Sequence, residues 1–218
     1  MSFIEDVKWY LFPFRCICCN SVEKRNVIIC DECRPKIRPH PHYVVIPNNT
    51  QNLFCCISPF HYSDPLIRQA ILNLKFNYEV NAAKELADYL AKMDFPIGSN
   101  ADIVTCVPLS KGRKRWRGFN QSELIATAYA NFVGKEYANV LEKLKSNKIQ
   151  STLADHEQRK KNVKNMYRVT DAEKIKGKTI ILIDDVYTSG ATMNECARML
   201  KKSGAARVLG MTVAYSNQ

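Results

Sequence analysis

The segment from Thr179 to Thr192, TIILIDDVYTSGAT, constrains the fold of this 218-residue chain more than any other stretch. Its first five residues are β-favouring and almost wholly apolar, which is typical of a strand buried on both faces of a parallel sheet. Two adjacent acids, Asp184 and Asp185, follow this strand. Because open α/β sheets bind ligands at the carboxyl ends of their strands, the pattern predicts an α/β fold with a ligand site here.

A short loop separates the two acids from the next predicted helix. It consists of Thr188, Ser189, Gly190, Ala191 and Thr192. Free backbone N–H groups and the positive end of the helix dipole make such a helix start an anion site. Glycine lets the main chain approach the ligand, and the hydroxyls add donors. An anion beside two carboxylates indicates a ribose 5-phosphate whose hydroxyls donate to Asp184 and Asp185.

A sugar-phosphate site fits this segment better than three alternatives. A Walker loop needs a lysine after its second glycine, and neither that lysine nor a GxGxxG fingerprint occurs in the sequence. The paired acids could instead hold metal ions directly, as in phosphoryl-transfer sites. A purely structural strand end with a capped helix would account for Thr188 or Ser189, but not for two adjacent acids.

Four cysteines near the amino terminus form two closely spaced pairs, Cys16-x-x-Cys19 and Cys30-x-x-Cys33. This spacing is typical of a tetrahedral structural zinc site, which leaves no open position for chemistry. Four unrelated buried thiols would be improbable in so short and polar a segment. Cys18 is a spare thiol that could compete with Cys19.

Composition shifts along the chain predict two domains. Prolines between positions 35 and 47 mark a linker, so we expect a zinc module and linker over 1–50 and a second domain over 51–218. Alternating strands and helices with short connections predict a mainly parallel sheet in the second domain. Helices are expected over 65–76, 82–93 and 121–133, and strands over 54–62, 102–107, 139–144, 167–169, 179–183 and 207–214. We interpret Lys75 as a helix-end charge rather than a phosphate contact, and Cys55 and Cys56 as core and surface packing.

A strongly basic stretch, KGRKRWRGFNQSE, follows the predicted strand at 102–107 and places five basic residues within positions 111–117. A charge run is usually a solvated surface, but this one falls at the carboxyl end of a strand, beside the predicted ligand site. It therefore predicts binding of a pyrophosphate, a nucleic-acid backbone, or both.

Two aromatic residues, Trp116 and Phe119, lie among these cations, a pattern that suits stacking on exposed bases. Asn120 and Glu123 are spaced as a capping box. Phe119 is then better interpreted as a hydrophobic staple against Leu124, which leaves Trp116 as the favoured base contact.

A second basic patch consists of Arg159, Lys160, Lys161 and Lys164 on a predicted helix. The net charge of +11 favours a polyanionic partner. We expect single-stranded DNA to bind through these four cations and through Lys114, Arg115 and Trp116.

Composition also limits the class of protein. No apolar run approaches the ~20 residues of a membrane helix, and the amino terminus is a poor signal peptide because acids and Lys8 interrupt it. Nine cysteines without an export signal favour a reducing compartment and metal or free thiols. We expect a cytoplasmic protein without membrane insertion.

Segment 179–192 resembles the phosphoribosyl pyrophosphate (PRPP) motif of type I phosphoribosyltransferases, in which four apolar residues and two acids precede a Thr/Ser-Gly-x-Thr loop. Nearly the whole chain resembles the ComF family of competence proteins, which join a four-cysteine zinc module to a type I phosphoribosyltransferase domain. The resemblance is carried by VPLSKGRKRWRGFNQSELIA, by Gln150, Leu153, Arg159, Asn162 and Val163, and by the PRPP motif. Lys143, Lys145 and Asn147 differ from the Arg, Arg and Thr expected in relatives.

This resemblance implies that PRPP binds together with Mg2+. Asp184 and Asp185 would hold the ribose hydroxyls, and residues 188–192 the 5-phosphate. The pyrophosphate would lie on Ser110, Arg113 and Arg117. The family further implies a cytosolic role in natural transformation, handling incoming single-stranded DNA with the helicase and recombination loader proteins of the uptake machinery.

Two functions from different classes follow. In one, the protein is an enzyme that transfers ribose 5-phosphate from PRPP to an amine or base, largely by electrostatic stabilisation of the leaving pyrophosphate. In the other, the pocket only binds PRPP and the basic surface binds DNA. The sequence favours the second function, because it shows neither an obvious general base nor an acceptor pocket; catalytic activity stays open.

Overall fold

The computed structural model describes residues 13–23, 27–40, 44–46, 52–77, 80–93, 100–144 and 165–216. Its strands are β1 (Val44–Ile46), β2 (Cys55–Ser58), β3 (Phe60–His61), β4 (Ile103–Cys106), β5 (Glu136–Tyr137), β6 (Leu141–Lys143), β7 (Tyr167–Val169), β8 (Thr179–Tyr187) and β9 (Arg207–Tyr215). Its α-helices are α1 (Pro65–Phe76), α2 (Asn81–Lys92), α3 (Lys111–Arg117), α4 (Gln121–Phe132), α5 (Ala172–Ile175) and α6 (Ala191–Lys202). None of these helices is long and apolar enough to span a membrane.

The main sheet has the strand order β1-β2-β9-β8-β4-β5, and β3 also pairs with β9. Among these described strands, only the edge pair β1–β2 is antiparallel, and every other neighbouring pair runs parallel. β8 lies between β9 and β4, and its residues Ile180–Ile183 are buried, as expected of a strand covered on both faces. The predicted α/β fold with a mainly parallel sheet is confirmed.

Two hydrophobic clusters cover the two faces of this sheet. One joins β4, β8 and β9 to α1, α2 and α4, and the other joins the opposite faces of the same strands to α6. Cys55 contributes to the first cluster and Cys56 to the second. The expectation that one of these cysteines lies at the surface is wrong, because β2 sits inside the sheet with both faces covered.

β8 is longer than the sequence predicts, because it continues through both acids to Tyr187. Its partner β9 accompanies it, with Asp184 opposite Thr212 and Tyr187 opposite Tyr215. On the other side, β4 ends at Cys106, opposite Ile183. The acid pair therefore lies beyond the end of β4, where the sheet opens into a crevice.

Two further departures have local causes. The single strand expected over 54–62 is divided into β2 and β3 at Pro59, a residue that has no N–H for a strand ladder. The strands expected at 139–144 and 167–169 form a separate two-stranded antiparallel sheet, β6–β7, with Leu141 opposite Val169.

The cysteine-rich segment packs on the main domain. Cys16, Ile17, Cys30 and Ile37 share a core cluster with Ile71 of α1. Arg34 also forms an ion pair with Glu85 of α2 at 3.6 Å. Within the stretch predicted as a linker, β1 pairs with β2 and thereby joins the main sheet.

Candidate functional site

The acid pair on β8 is held by donors from two helices. The Oγ of Ser122 donates to Oδ1 of Asp184 at 2.8 Å, and the Nε2 of Gln121 donates to Oδ2 of Asp185 at 2.6 Å. The Nζ of Lys75 lies 2.8 Å from Oδ1 of Asp185. Each carboxylate therefore has side-chain partners that define its orientation within the crevice.

Asn120 brings the start of α4 to these acids. Its Oδ1 accepts the N–H of Ser122, which caps the helix, while its Nδ2 donates to the carbonyl of Val107 just after β4. The predicted cap is confirmed. Glu123 takes a different partner from the one that a capping box requires, since it pairs with Lys114 at 2.8 Å. The first turn of α4 is thus tied to the strand end beside the acid pair.

Lys75 belongs to the site, so its interpretation as a helix-end charge is wrong. It lies in the last turn of α1, and its side chain is only 18% exposed in the ion pair with Asp185. The two residues are 110 positions apart in the sequence. The tertiary fold is what brings them together.

The environment of Asp184 alters its ionisation. Burial, and then the neighbouring charge of Asp185, raise the pKa of Asp184 from its ordinary value of 3.8 to about 7. The hydrogen bond from Ser122 and the charge of Lys75 act in the opposite direction. Asp184 therefore exchanges a proton near neutral pH.

A pocket of about 500 Å³ opens above the acid pair. The described residues that line it include four cations, namely Lys75, Arg113, Arg117 and Lys143. Burial, and next repulsion from Arg113, lower the pKa of Lys143. Burial also lowers the pKa of Arg117, whose Nε is buried without a hydrogen-bond partner in the described part of the chain. Cations crowded in this way favour an anionic ligand.

The loop after β8 encloses a second, smaller cavity of about 60 Å³. It is lined by Asp184, Val186, Tyr187, Thr188, Ser189, Gly190, Ala191, Thr192 and Met193. Asp184 and Thr192 also line the larger pocket, so the two spaces adjoin. All five loop residues expected to hold a 5-phosphate thus surround one cavity at the start of α6.

Gly190 is required in this loop for two reasons. Its φ is +71°, in the left-handed region, and a Cβ there would lie 2.1 Å from the hydroxyl oxygen of Tyr187. Glycine therefore permits both the backbone turn and the close packing of Tyr187 that shape the cavity.

The basic stretch forms α3, which divides its charges between two directions. Arg113 and Arg117 line the pocket, whereas Arg115 is exposed and Lys114 pairs with Glu123. Ser110, which is expected to contact pyrophosphate, caps α3 by accepting the N–H of Arg113. The four cations of the second basic patch, Arg159, Lys160, Lys161 and Lys164, lie outside the described residues, as do Lys145, Asn147, Gln150, Leu153, Asn162 and Val163.

Two exposed aromatic rings stand at the mouth of the pocket. Trp116 is 69% exposed and Phe76 is 49% exposed, and their ring centroids are 6.4 Å apart in an edge-to-face arrangement. The guanidinium of Arg117 lies 5.2 Å from the centroid of Phe76. Phe76 thus joins the predicted base contact Trp116 in one surface, which we call the aromatic platform.

A larger groove of about 790 Å³ lies apart from the acid pair, between α2 and α4. Its lining includes Ala83, Leu124, Thr127 and Phe132. Its described lining residues include no carboxylate pair comparable to the one on β8. The acid pair and its neighbouring cations therefore belong to the pocket of about 500 Å³.

The four predicted cysteine ligands meet in space. The sulfur atoms of Cys16, Cys19, Cys30 and Cys33 all lie within 4.8 Å of one another. The N–H groups of Cys18 and Cys30 both approach the sulfur of Cys16 at 3.4 Å. Four converging sulfurs with backbone N–H groups directed at one of them suit a structural zinc ion, which these residues would hold without an open position. The thiol of Cys18 is buried in the adjoining core cluster instead.

Sequence reasoning missed several residues of the site. Lys75, Phe76, Gln121, Ser122 and Tyr167 line the pocket. Gln121 and Ser122 lie in the RGFNQS block, and the position of this block at a helix start after a strand is the signal that could have identified them. Lys75 and Phe76 give no such signal.

Comparison with known proteins agrees with this fold. A model of the phosphoribosyl transferase domain matches residues 122–218. DNA utilization protein YhgH of Salmonella typhi is 28% identical over 204 residues, covering 88% of this chain and 86% of the relative. Competence protein F of Haemophilus influenzae is 25% identical over 221 residues, with coverage of 90% and 95%. Competence protein ComFC of Bacillus subtilis is 29% identical over 167 residues, with coverage of 73% and 63%.

A mainly parallel sheet that carries an acid pair on β8 and the 188–192 loop after it, in a chain that matches this domain family, defines a type I phosphoribosyltransferase fold. The four-cysteine cluster precedes that domain in the chain. Over most of its length the chain is similar to competence proteins and DNA utilization proteins. The family resemblance drawn from the sequence is thereby confirmed.

Proposed function

We propose that this protein binds PRPP with Mg2+ in the pocket above Asp184 and Asp185, and single-stranded DNA on the basic and aromatic surface beside it. In this role it acts in the cytoplasm during DNA uptake, together with helicase and recombination loader proteins. The names of its relatives, competence protein and DNA utilization protein, support a role of this kind.

The observation that carries the proposal is the arrangement of charge in the pocket. Four cations and the acid pair line the pocket, and the cavity of the 188–192 loop adjoins it. PRPP has the complementary arrangement, with a pyrophosphate for the cations, ribose hydroxyls for the acids and a 5-phosphate for the loop. In this assignment Arg113 and Arg117 bind the pyrophosphate, and Ser110 contributes by fixing the start of α3.

The surface around the pocket supports the DNA part of the proposal. The aromatic platform offers two ring faces for stacking, and Arg115 offers an exposed charge for a phosphate. The segment that contains the second basic patch is flanked by Lys143 and Tyr167, both of which line the pocket. The first basic patch thus contributes Arg113 and Arg117 to the pocket, and the second lies in the sequence between two residues that line it.

Calorimetric titration with PRPP and Mg2+ tests the pocket. Replacing both Asp184 and Asp185 with Asn keeps the shape but removes the acceptor charge, so we expect PRPP affinity to fall by at least about tenfold, a change of ~1.4 kcal/mol. Asp88→Asn, which removes a carboxylate paired with Lys92 on α2, is the matched control. Equal affinity in the double variant and the wild type would mean that PRPP binds elsewhere.

One observation favours the enzymatic alternative. Because the pKa of Asp184 is raised to about 7, this carboxyl can take up a proton near neutral pH, as a general base for an amine or base acceptor must. Pyrophosphate release from PRPP in the presence of candidate acceptors tests this function, and an Asp184→Asn variant that retained the full rate would exclude Asp184 from that role.

A further inference from the structure

A buried side chain of α1, Asn73, hydrogen-bonds the first cysteine loop two residues before Lys75 of the pocket. Asn73 of α1 is 2% exposed. Its Nδ2 donates to the carbonyl of Ile17 at 2.8 Å and to Oδ1 of Asn20 at 2.9 Å. Ile17 lies between Cys16 and Cys19, and Asn20 follows Cys19 directly, so Asn73 contacts the first cysteine loop at two points.

The same turn of α1 reaches the pocket on its other side. Lys75 follows Asn73 by two positions, and residues at this spacing point in nearly opposite directions around a helix. Asn73 therefore faces the cysteine loop while Lys75 faces Asp185 and Phe76 joins the aromatic platform. The last turn of α1 is thus held between the two sites.

The rest of the Asn73 side chain is committed to α1 itself. Its Oδ1 accepts from Nε2 of Gln69 at 3.0 Å and from Nδ2 of Asn77 at 2.7 Å. These bonds orient the amide so that its NH₂ group is directed at the cysteine loop. If that loop moves alone, the buried NH₂ group of Asn73 loses its acceptors, which is unfavourable. The end of α1 then moves with the loop, because this movement keeps the hydrogen bonds.

We propose that Asn73 is a positioning residue that links the four-cysteine centre, when loaded with metal, to the Lys75–Asp185 ion pair. Through Asn73 the metal-loaded centre fixes the position of Lys75 against Asp185, and this position determines the affinity of the pocket for PRPP. The cysteine loop places the two acceptors of Asn73, Ile17 O and Asn20 Oδ1, only while its sulfurs are held together. Asn20 has a φ of +62°, which requires a defined loop. The inference rests on the proposed PRPP function for its affinity readout.

A double-mutant cycle tests this link. Asn73→Leu removes the donor and Lys75→Met removes the charge, and each is expected to weaken PRPP binding by between about 5- and 150-fold, the usual range for coupled sites. If Asn73 acts through Lys75, the double variant binds no more weakly than Lys75→Met alone. Additive losses would overturn the proposal, because they would make the contribution of Asn73 independent of Lys75.

Two further variants distinguish the link from general damage to the fold. Asn20→Gly removes one acceptor while permitting the positive φ, so we expect a smaller loss of PRPP affinity than with Asn73→Leu. Arg34→Ala removes a different contact between the cysteine segment and the main domain, the pair with Glu85, and should leave PRPP affinity unchanged. An equal loss in Arg34→Ala and Asn73→Leu contradicts the proposal.

Zinc removal from the full chain provides a readout that does not depend on PRPP. With a chelator, we expect amide hydrogen exchange to accelerate in the last turn of α1 and around Asp185 in the wild type. In Asn73→Leu, exchange there should already be fast with zinc bound and should change little on chelation. Unchanged protection of the wild type without zinc overturns the link. Failure of the wild type to bind PRPP would overturn the proposed function alone, because the exchange comparison still decides the role of Asn73.

Discussion

At the scale of single residues, the two carboxylates of the site differ in the donors that surround them. Among the described residues, Asp185 has two donors within 2.8 Å, from Gln121 and Lys75, whereas Asp184 has the hydroxyl of Ser122 and the N–H of Asp185. The cation therefore stabilises one carboxylate directly, and the other carries the raised pKa. The ion pair with Lys75 and the raised pKa thus fall on different carboxylates of the acid pair.

The raised pKa of Asp184 predicts how stability varies with pH. The folded protein binds a proton at Asp184 up to about pH 7, whereas the unfolded chain releases it near the ordinary pKa of 3.8. Between these values the folded state binds more protons, so this carboxyl makes the free energy of unfolding fall as pH rises, by about 1.4 kcal/mol per unit of pKa difference before solvent screening reduces it.

Thermal unfolding of the ligand-free protein across pH 4–8 measures this effect. Subtracting the curve of Asp184→Asn from that of the wild type removes the contribution of all other titrating groups. We expect the wild type to lose stability relative to the variant as pH rises towards 7. Parallel curves would show that the carboxyl ionises with an ordinary pKa.

Gly190 gives a prediction about the 188–192 loop. Gly190→Ala must adopt a left-handed conformation, at a cost of roughly 1–2 kcal/mol, and must also displace Tyr187. We expect PRPP affinity to fall by at least about tenfold in calorimetry. Gly177→Ala is the matched control, since its φ is +70° but nothing lies within 4 Å of the added Cβ. It should lose similar backbone stability yet bind PRPP normally; a loop variant with wild-type affinity would contradict the loop assignment.

At the scale of elements, α3 turns a run of charge into two distinct surfaces. A helix of seven residues places Arg113, Trp116 and Arg117 in the lining of the pocket, whereas the exposed Arg115 is not among the described lining residues. Lys114 is held by Glu123 of the following helix. The five cations of this stretch are therefore not equivalent, although the sequence presents them as one patch.

The division of α3 predicts different effects on single-stranded DNA binding, measured by filter binding across a salt series. Arg115→Ala should reduce the log–log salt slope by about 0.7, the value for one phosphate contact on a single strand. Lys114→Ala should reduce it by less, because that charge is already paired. Lys174→Ala, which removes a cation paired with Glu136 of the edge strand β5, should leave the slope unchanged.

The aromatic platform should respond differently from the cations. Trp116→Ala or Phe76→Ala is expected to lower DNA affinity by ~1–3 kcal/mol while the salt slope is kept, because stacking releases few ions. Measuring DNA binding at saturating PRPP tests whether the cations serve only the pyrophosphate, because in that case PRPP should abolish DNA binding. A wild-type protein that shows no salt-dependent retention of single strands ends the DNA-binding hypothesis.

At the scale of the whole molecule, the cysteine segment and the phosphoribosyltransferase domain share a hydrophobic core. Residues around the four sulfurs pack with α1 and α2, and β1 joins the main sheet beyond them. Asn73 adds buried hydrogen bonds between the same two regions. The amino-terminal segment is thus a part of the domain's packing.

This packing predicts a cooperative effect of the metal. We expect one zinc per chain, and replacement of Cys30 and Cys33 with Ser should abolish zinc retention because two of the four ligands are lost. The loss should destabilise the protein, since structural zinc contributes ~10–16 kcal/mol in small modules. Differential scanning calorimetry should then show a single transition at lower temperature for the whole chain, since the shared core couples the two regions. A separate early transition, with the main one unmoved, would show that the module unfolds independently.

Sequence alone determined the features that depend on short-range pattern. The apolar run with its acids and loop defined the buried first part of β8 and a helix after the loop, the spacing of the cysteines defined the four-sulfur cluster, and Asn120 defined the start of α4. In each case neighbouring residues carry the information, because strand burial, helix capping and metal chelation by closely spaced pairs are governed by local chemistry.

Only the tertiary structure decided which distant side chains complete the site. Lys75 reaches Asp185 across 110 positions, and Asn73 reaches Ile17 across 56. Nothing in the sequence near Lys75 distinguishes an ordinary helix-end lysine from a buried ion pair. The difference arises from the position of the last turn of α1, which reaches both the cysteine loop and Asp185. Such contacts depend on the relative placement of whole elements, which no local pattern encodes.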